Sequence, residues 1–261
     1  MTENPYAPPK AAVLEAASPS GTYITDGQKV EAGHGVQWYA DAWKLFMGAP
    51  GTWVLICVIF IVASILVAII PLGSLLSSIA YPAIVAGLML GCRSIEEGTG
   101  LRVGHLFEAF KKNVGPLLLV GVLYLVGTLL IGLFAGIGAV LLVPVMIAKG
   151  ANASDFSSMM ALLPYILLID LVVLALMLPL IMAIWFAPAL VLFHDLAPMA
   201  AMKASFQGCL KNMVPFLLYG LVGMGLAIVA VIPLGLGMLV WIPLLWASIY
   251  TGYRDIFVRP A

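Results

Sequence analysis

The chain has 261 residues, 63% of them apolar and 9% charged, and its twelve cations and twelve anions cancel to a net charge of zero. A soluble domain carries roughly a quarter charged residues and must show much of its surface to water, so a mean hydropathy of +1.13 excludes a water-soluble globule and makes lipid the solvent. Zero net charge gives no electrostatic footprint for nucleic acid, and Cys57, Cys92 and Cys209 stand singly, outside any CxxC pair or disulfide framework.

Residues 1–34 carry Pro5, Pro8, Pro9, Pro19, Gly21, Gly27 and Gly33 among small and polar residues. Such a stretch cannot bury enough apolar area to offset its ordering entropy. It is predicted to be a disordered tail. Its Asn4-Pro5-Tyr6-Ala7-Pro8-Pro9 run has the composition of an extended docking motif, but a plain solvated tail is the stronger expectation. No cleaved signal peptide is expected, because the first apolar block begins only near Trp53 and is far too long for an h-region.

From Leu45 to Cys92 there is no Asp, Glu, Lys or Arg. That length holds two spans of about 20 residues each, and Ile70-Pro71-Leu72-Gly73 is a turn signal at its middle. Helices are predicted over 51–70 and 73–92. The next uncharged tract runs from Asn113 to Ala148, and the third, 156–194, is interrupted only by Asp170. Each exceeds a single span, so helices 3 and 4 are predicted to be long, tilted or kinked, with Pro144, Pro164, Pro179 and Pro188 at kinks or boundaries. The last tract, Asn212 to Tyr253, breaks at Ile232-Pro233-Leu234-Gly235, which places helices 5 and 6 near 214–232 and 236–253.

Charge gives an orientation. Eleven of the twelve Lys and Arg residues fall on one side of this arrangement, and only Lys149 falls on the other. Cytoplasmic loops retain Lys and Arg. Both ends of the chain are therefore expected in the cytoplasm, consistent with an even number of spans. The expected organisation is a cytoplasmic tail over 1–34, a six-helix transmembrane domain over 35–257, and a short cytoplasmic tail over 258–261.

An internal repeat is also legible. The two Ile-Pro-Leu-Gly tetrapeptides sit between paired spans. Lys112-Asn113-Val114-Gly115-Pro116 echoes Lys211-Asn212-Met213-Val214-Pro215, and Pro50, Pro116 and Pro215 each open a span. Proline is tolerated there because a first-turn residue has no intrahelical partner to lose. Before each of these prolines lies an amphipathic stem. Val36, Tyr39, Ala40, Trp43 and Met47 recur at helical spacing, as do Val103, Phe107, Phe110 and Val114, and then Met202, Phe206, Cys209 and Met213. Opposite them stand Asp41 and Lys44, then Glu108, Lys111 and Lys112, then Lys203, Gln207 and Lys211. Such helices suit the headgroup plane, aromatics inward and lysines toward phosphate. The expected fold is all-α, an integral membrane bundle of six transmembrane helices. It is built from three parallel repeats, each an interfacial helix followed by a helical hairpin.

Four segments carry a resemblance. Trp38-Tyr39-Ala40-Asp41-Ala42-Trp43-Lys44-Leu45-Phe46 leads into helix 1, and Gly104-His105-Leu106-Phe107-Glu108-Ala109-Phe110 into helix 3. Trp185-Phe186-Ala187-Pro188-Ala189-Leu190-Val191 precedes His194-Asp195-Leu196, and Tyr253-Arg254-Asp255-Ile256-Phe257 closes the chain. Together these resemble the uncharacterised BPSS-type family of bacterial multi-pass membrane proteins, over roughly residues 36–257. The resemblance implies a location in the bacterial cytoplasmic (inner) membrane. It brings no known activity, cofactor or functional residue.

Among groups that could carry chemistry, Asp170 is the one formal charge inside an apolar tract. A carboxylate at membrane depth costs about 2.5–3.5 kcal/mol on insertion and usually faces a cavity or a partner, so Asp170 is the candidate proton or ion site. The bland alternative is a protonated or hydrogen-bonded carboxyl near the far interface. His194-Asp195 reads as a structural pair at a helix end, His105 as interfacial, and His34 as part of the tail. A membrane aspartyl protease needs two facing carboxylates and only Asp170 is available. There is no HExxH helix, no Walker lysine loop and no acidic cluster for a divalent metal. Gly132 and Gly136 form a GxxxG pattern, which most simply marks helix packing. The expectation is a non-enzymatic scaffold or accessory protein, with no metal and no cofactor. Its partners would be membrane lipids and a membrane protein or a second copy of the chain. The alternative is a small-solute or ion transporter or channel with Asp170 in its path.

Overall fold

The computed structural model describes residues 21–112, 114–148 and 156–260. Two short strands, ten α-helices and one 3-10 turn (Ala109–Lys111) make up the regular structure of these residues: β1 (Gly21–Tyr23), α1 (His34–Gly48), α2 (Pro50–Ile69), α3 (Gly73–Glu96), α4 (His105–Glu108), α5 (Val114–Ala148), α6 (Phe156–Trp185), α7 (Ala187–His194), α8 (Pro198–Lys211), α9 (Met213–Val231), α10 (Met238–Phe257) and β2 (Val258–Pro260). The protein is nearly all helical, as composition requires.

Among the described residues, five helical stretches are long and apolar enough to cross a membrane: Pro50–Ile69, Gly73–Glu96, Val114–Pro144, Leu162–His194 and Met213–Val231. The sixth predicted helix exists as α10, but it is not among them. Arg254, Asp255 and a series of aromatic residues dilute its hydropathy. Its position explains this composition. α10 packs against α1, α2, α3 and α9, and Trp246, Ala247, Tyr250, Tyr253, Ile256 and Phe257 are all buried. A helix that meets protein on most sides can carry hydroxyls and charges that a lipid-facing helix cannot.

The helix boundaries follow local chemistry. Ala49, at φ −158°, breaks the chain between α1 and α2, and Pro50 opens α2. Trp53 Nε1 then donates to Leu45 O at 3.2 Å, fixing the angle between the two helices. Between α2 and α3 a turn closes through Gly73 N–H to Ile70 O at 2.9 Å. Leu72 there adopts φ +65°, and Leu234 in the second Ile-Pro-Leu-Gly adopts φ +55°. Leucine rarely occupies this region, so identical tetrapeptides share an uncommon conformation. Gly73 is obligatory, because a Cβ there would lie 1.9 Å from Val67 O.

α6 ends at Trp185 and α7 begins at Ala187 with Pro188 in its first turn. The break frees backbone groups that lipid cannot satisfy. Ser205 of α8 satisfies them: its Oγ accepts from Phe186 N–H at 3.0 Å and donates to Met182 O at 2.7 Å.

Three expectations need correction. Residues 21–34, assigned from composition to the disordered tail, form an ordered strap that leads into α1, and residues 258–260 form its partner strand. β1 and β2 are antiparallel, with Gly21 opposite Pro260, Thr22 opposite Arg259 and Tyr23 opposite Val258. Ile24 N–H donates to Phe257 O and Gln28 N–H to Ile256 O, both at 2.9 Å. The stabilising partners lie more than 200 positions away, where composition cannot register them. The second stem, expected to be an amphipathic helix, contracts to the single turn of α4 followed by a 3-10 turn, Ala109–Lys111. His34, expected in the tail, instead opens α1. Residues 1–20, with their proline-rich run, and residues 149–155 lie outside the described residues.

Candidate functional site

The polar side chains of the molecule concentrate where the stems meet the ends of α3 and α10. α1 positions them because its sequence makes three stripes. Trp38, Tyr39, Ala42, Leu45 and Phe46 are buried against protein, Val36, Trp43 and Met47 are exposed and apolar, and Gln37, Asp41 and Lys44 are polar. α1 thus presents a protein-facing stripe, an exposed apolar stripe and a polar stripe.

Asp255, near the end of α10, organises one cluster. Its Oδ2 accepts from Trp38 Nε1 at 2.7 Å and lies 2.8 Å from His34 Nδ1. Its backbone oxygen accepts from Gln28 Nε2 at 2.8 Å. Thr251, one turn earlier, donates to Trp38 O at 2.9 Å. Glu96, at the end of α3, accepts from Tyr250 OH at 2.7 Å and pairs with Arg254. Asp41 pairs with Lys44 at 2.7 Å on the surface. All of these residues but Tyr250 line an open cavity of about 590 Å³. Its three carboxylates, Asp41, Glu96 and Asp255, are each engaged by a donor.

A second cluster fastens the strap. Asn212, fully buried between α8 and α9, accepts from Val30 N–H at 2.8 Å and donates to Gln28 O at 2.8 Å and Gly208 O at 2.9 Å. Lys211 Nζ donates to Asp26 O and Gly27 O, both at 3.0 Å. Tyr23 lies over the His194 ring with centroids 4.2 Å apart, and His194 Nε2 meets Tyr253 OH at 2.7 Å. His105 is buried at 2% exposure. Its Nδ1 accepts from Arg102 N–H at 3.0 Å, so Nε2 carries the proton toward Ser94 Oγ and Glu108, each at 3.3 Å. Burial pushes the His105 imidazole below its ordinary value and outweighs the opposing pull of Glu108. In α8, burial pushes the Cys209 thiol up to about 12, so it is an inert small apolar residue there.

The residues singled out from sequence are distributed as follows. Trp43 is exposed and stacks on Phe46 at 5.5 Å. Phe107 is exposed beside half-buried Phe110, at 6.5 Å between centroids. Phe206 is half-buried, and Lys44, Lys111, Lys112 and Lys211 are exposed. Pro50 opens α2, Pro116 and Pro215 lie in the first turns of α5 and α9, and Pro71 and Pro233 lie in the two hairpin turns. Asp170 joins neither cluster. It is exposed on α6, next to Ile169, which packs on Gly138 of α5. Asp170 stands 15 residues before the end of α6 at Trp185, ~22 Å along the helix, within the apolar stretch Leu162–His194 that is long enough to cross a membrane. Asn212, Ser205, Asp255 and Glu96 were not singled out as site residues. The repeated Lys-Asn dipeptide was the one available signal, and it registered only as a mark of repetition. Among the described residues, no three His, Cys, Asp or Glu side chains gather as a metal-binding group.

The chain is similar to a probable inner membrane protein of Burkholderia thailandensis, with 28% identity over 253 residues that cover 88% of this chain and 93% of that protein. No protein-family model matches the chain, and no solved structure matches it. The apolar helices and this near full-length likeness together make it a helical integral membrane protein.

Proposed function

We propose that this is a six-span protein of the bacterial inner membrane, both ends cytoplasmic, that works as a non-enzymatic scaffold or accessory protein. The observation that carries the reading is how the polar groups at the stem ends are used. His34, Asp255, Gln28, Asn212 and Lys211 bind the chain's own strap, stem and helix ends into one collar. A collar of this kind builds a fixed face at the membrane surface, against which another protein can seat.

The six-span count is supported by the strand pairing. Gly21 and Pro260 are register partners, so both described ends of the chain lie on one face of the molecule. Five crossings would part them, and α10 supplies the sixth. The three stems, each followed by a hairpin, and the matching left-handed Leu72 and Leu234 support the three-repeat description. The inner-membrane location rests on the named relative, and the orientation on the eleven cations of one side.

A transporter reading would use Asp170. Its place on an exposed helix face, apart from both polar clusters, weighs against an enclosed site between helices of the kind transporters build. The discriminating experiment is purification in native lipid nanodiscs, identification of what co-purifies, and a flux assay on the reconstituted protein. A stoichiometric protein partner with no flux supports the scaffold. Flux abolished by Asp170→Asn in folded protein refutes it.

A further inference from the structure

Two cavities meet at the first turn of α9. One is an apolar groove of about 490 Å³ between α6, α8 and α9, walled by Leu178, Trp185, Phe216, Leu217 and Gly220. The other, about 600 Å³, opens at the stem surface beside Lys29, Glu31 and Lys211. Met213 and Val214 line both. The combination is amphipathic along its length. From Met213 to Gly220 the groove descends seven residues, ~10 Å, about the outer third of one hydrocarbon core.

The polar end is cationic. Lys211 Nζ spends two donors on the neutral carbonyls of Asp26 and Gly27. Its charge is therefore not cancelled, and a third N–H remains. Lys29 is exposed and makes no ion pair among the described residues. Glu31 is the single carboxylate of this lining. Basic pockets between spans at the membrane surface suit anionic headgroups, and an apolar groove beginning directly beneath suits the attached chains.

We propose that the chain holds one anionic diacyl phospholipid of the stem-side leaflet, its phosphate at Lys29 and Lys211 and the upper part of its acyl chains in the groove between α6 and α9. The site rests on the membrane-embedded reading above but not on the scaffold role. It gives the strap a second task. Lys29 and Lys211 face the headgroup from the strap and from α8, so lipid binding would press the strap onto the bundle.

Electron spin resonance on the full chain in phosphatidylcholine vesicles tests it, with trace spin-labelled phosphatidylglycerol or spin-labelled phosphatidylcholine as the probe. The expected result is a motionally restricted component that favours phosphatidylglycerol by several fold. Lys29→Gln, on an exposed side chain, should cut that preference about five-fold. Gly220→Phe should remove the selective component, since a Cβ at Gly220 meets open space and the ring can fill the groove. Equal restriction of the two labels, or a preference unmoved by both variants, would overturn the site while leaving the membrane reading intact. Protein that fails to enter vesicles at all would overturn both.

Discussion

The indole Nε1 of Trp38 donates to Asp255 Oδ2 at 2.7 Å across 217 positions of sequence. This bond joins the first stem to the end of the last helix, and His34 approaches the same oxygen. Trp38 is 2% exposed, and this carboxylate is the acceptor its buried indole N–H meets. Asp255→Ala should destabilise the protein by about 1–3 kcal/mol, read by denaturant unfolding in nanodiscs. Asp255→Asn, whose amide oxygen can still accept, should cost less. Equal costs for the two variants would mean that the indole bond contributes little.

Asn212 predicts a local effect. Its amide is the buried link between the strap and the junction of α8 and α9. Asn212→Ala leaves Val30 N–H and Gln28 O without their partner, and should speed amide exchange over residues 24–30 while the spans stay protected. Unchanged exchange there would show that the strand pairing alone holds the strap.

The contrast between spans and strap separates what the sequence could and could not reveal. α2 and α9 were readable to within a residue, because uncharged tracts bounded by proline leave few other solutions in lipid. The strap was not readable. Its order comes from Asn212, Ile256 and Phe257, and nothing local in Gly21–Gly33 encodes those contacts. Periodicity correctly marked α1 as amphipathic, yet the residues it chose include Trp43 and Met47, which are exposed, and omit Trp38, Leu45 and Phe46, which are buried. A pattern can report that apolar faces exist, but not which one meets protein and which meets lipid. The short second stem has the same cause: a spacing of three and four fits four residues as well as fourteen. Asp170 drew notice as a lone charge, and the structure puts it on an exposed face of α6, apart from both polar clusters.

Ser205 mends the break between α6 and α7. Ser205→Ala should cost about 1–2 kcal/mol, because Phe186 N–H and Met182 O lose their shared hydroxyl. The loss should appear as lower thermal stability in nanodiscs. A neutral substitution would mean that the break relaxes on its own.

His105 gives a pH dependence. Its folded pKa lies below the unfolded value near 6.5 because of burial. Between those two values the unfolded chain binds a proton that the folded one refuses, so stability rises with pH in that window. The contribution is complete above about pH 6.5 and is lost as pH falls through the folded value. Protonation would also turn Nδ1 into a donor facing the Arg102 N–H. Unfolding curves from pH 7.5 downward should show a smaller loss in His105→Gln than in the parent. Parallel losses would assign the dependence to other groups.

The proposed six-span arrangement, with Gly21 paired to Pro260, has α10 as its last passage. Topology reporters fused after Lys149 and after Arg259 read this directly, with alkaline phosphatase marking the periplasm and a fluorescent protein marking the cytosol. Six crossings predict phosphatase activity at the first position and fluorescence at the second. Phosphatase activity at both would mean that α10 does not cross, fluorescence at both would mean that Lys149 stays in the cytosol, and either result would contradict the six-span arrangement.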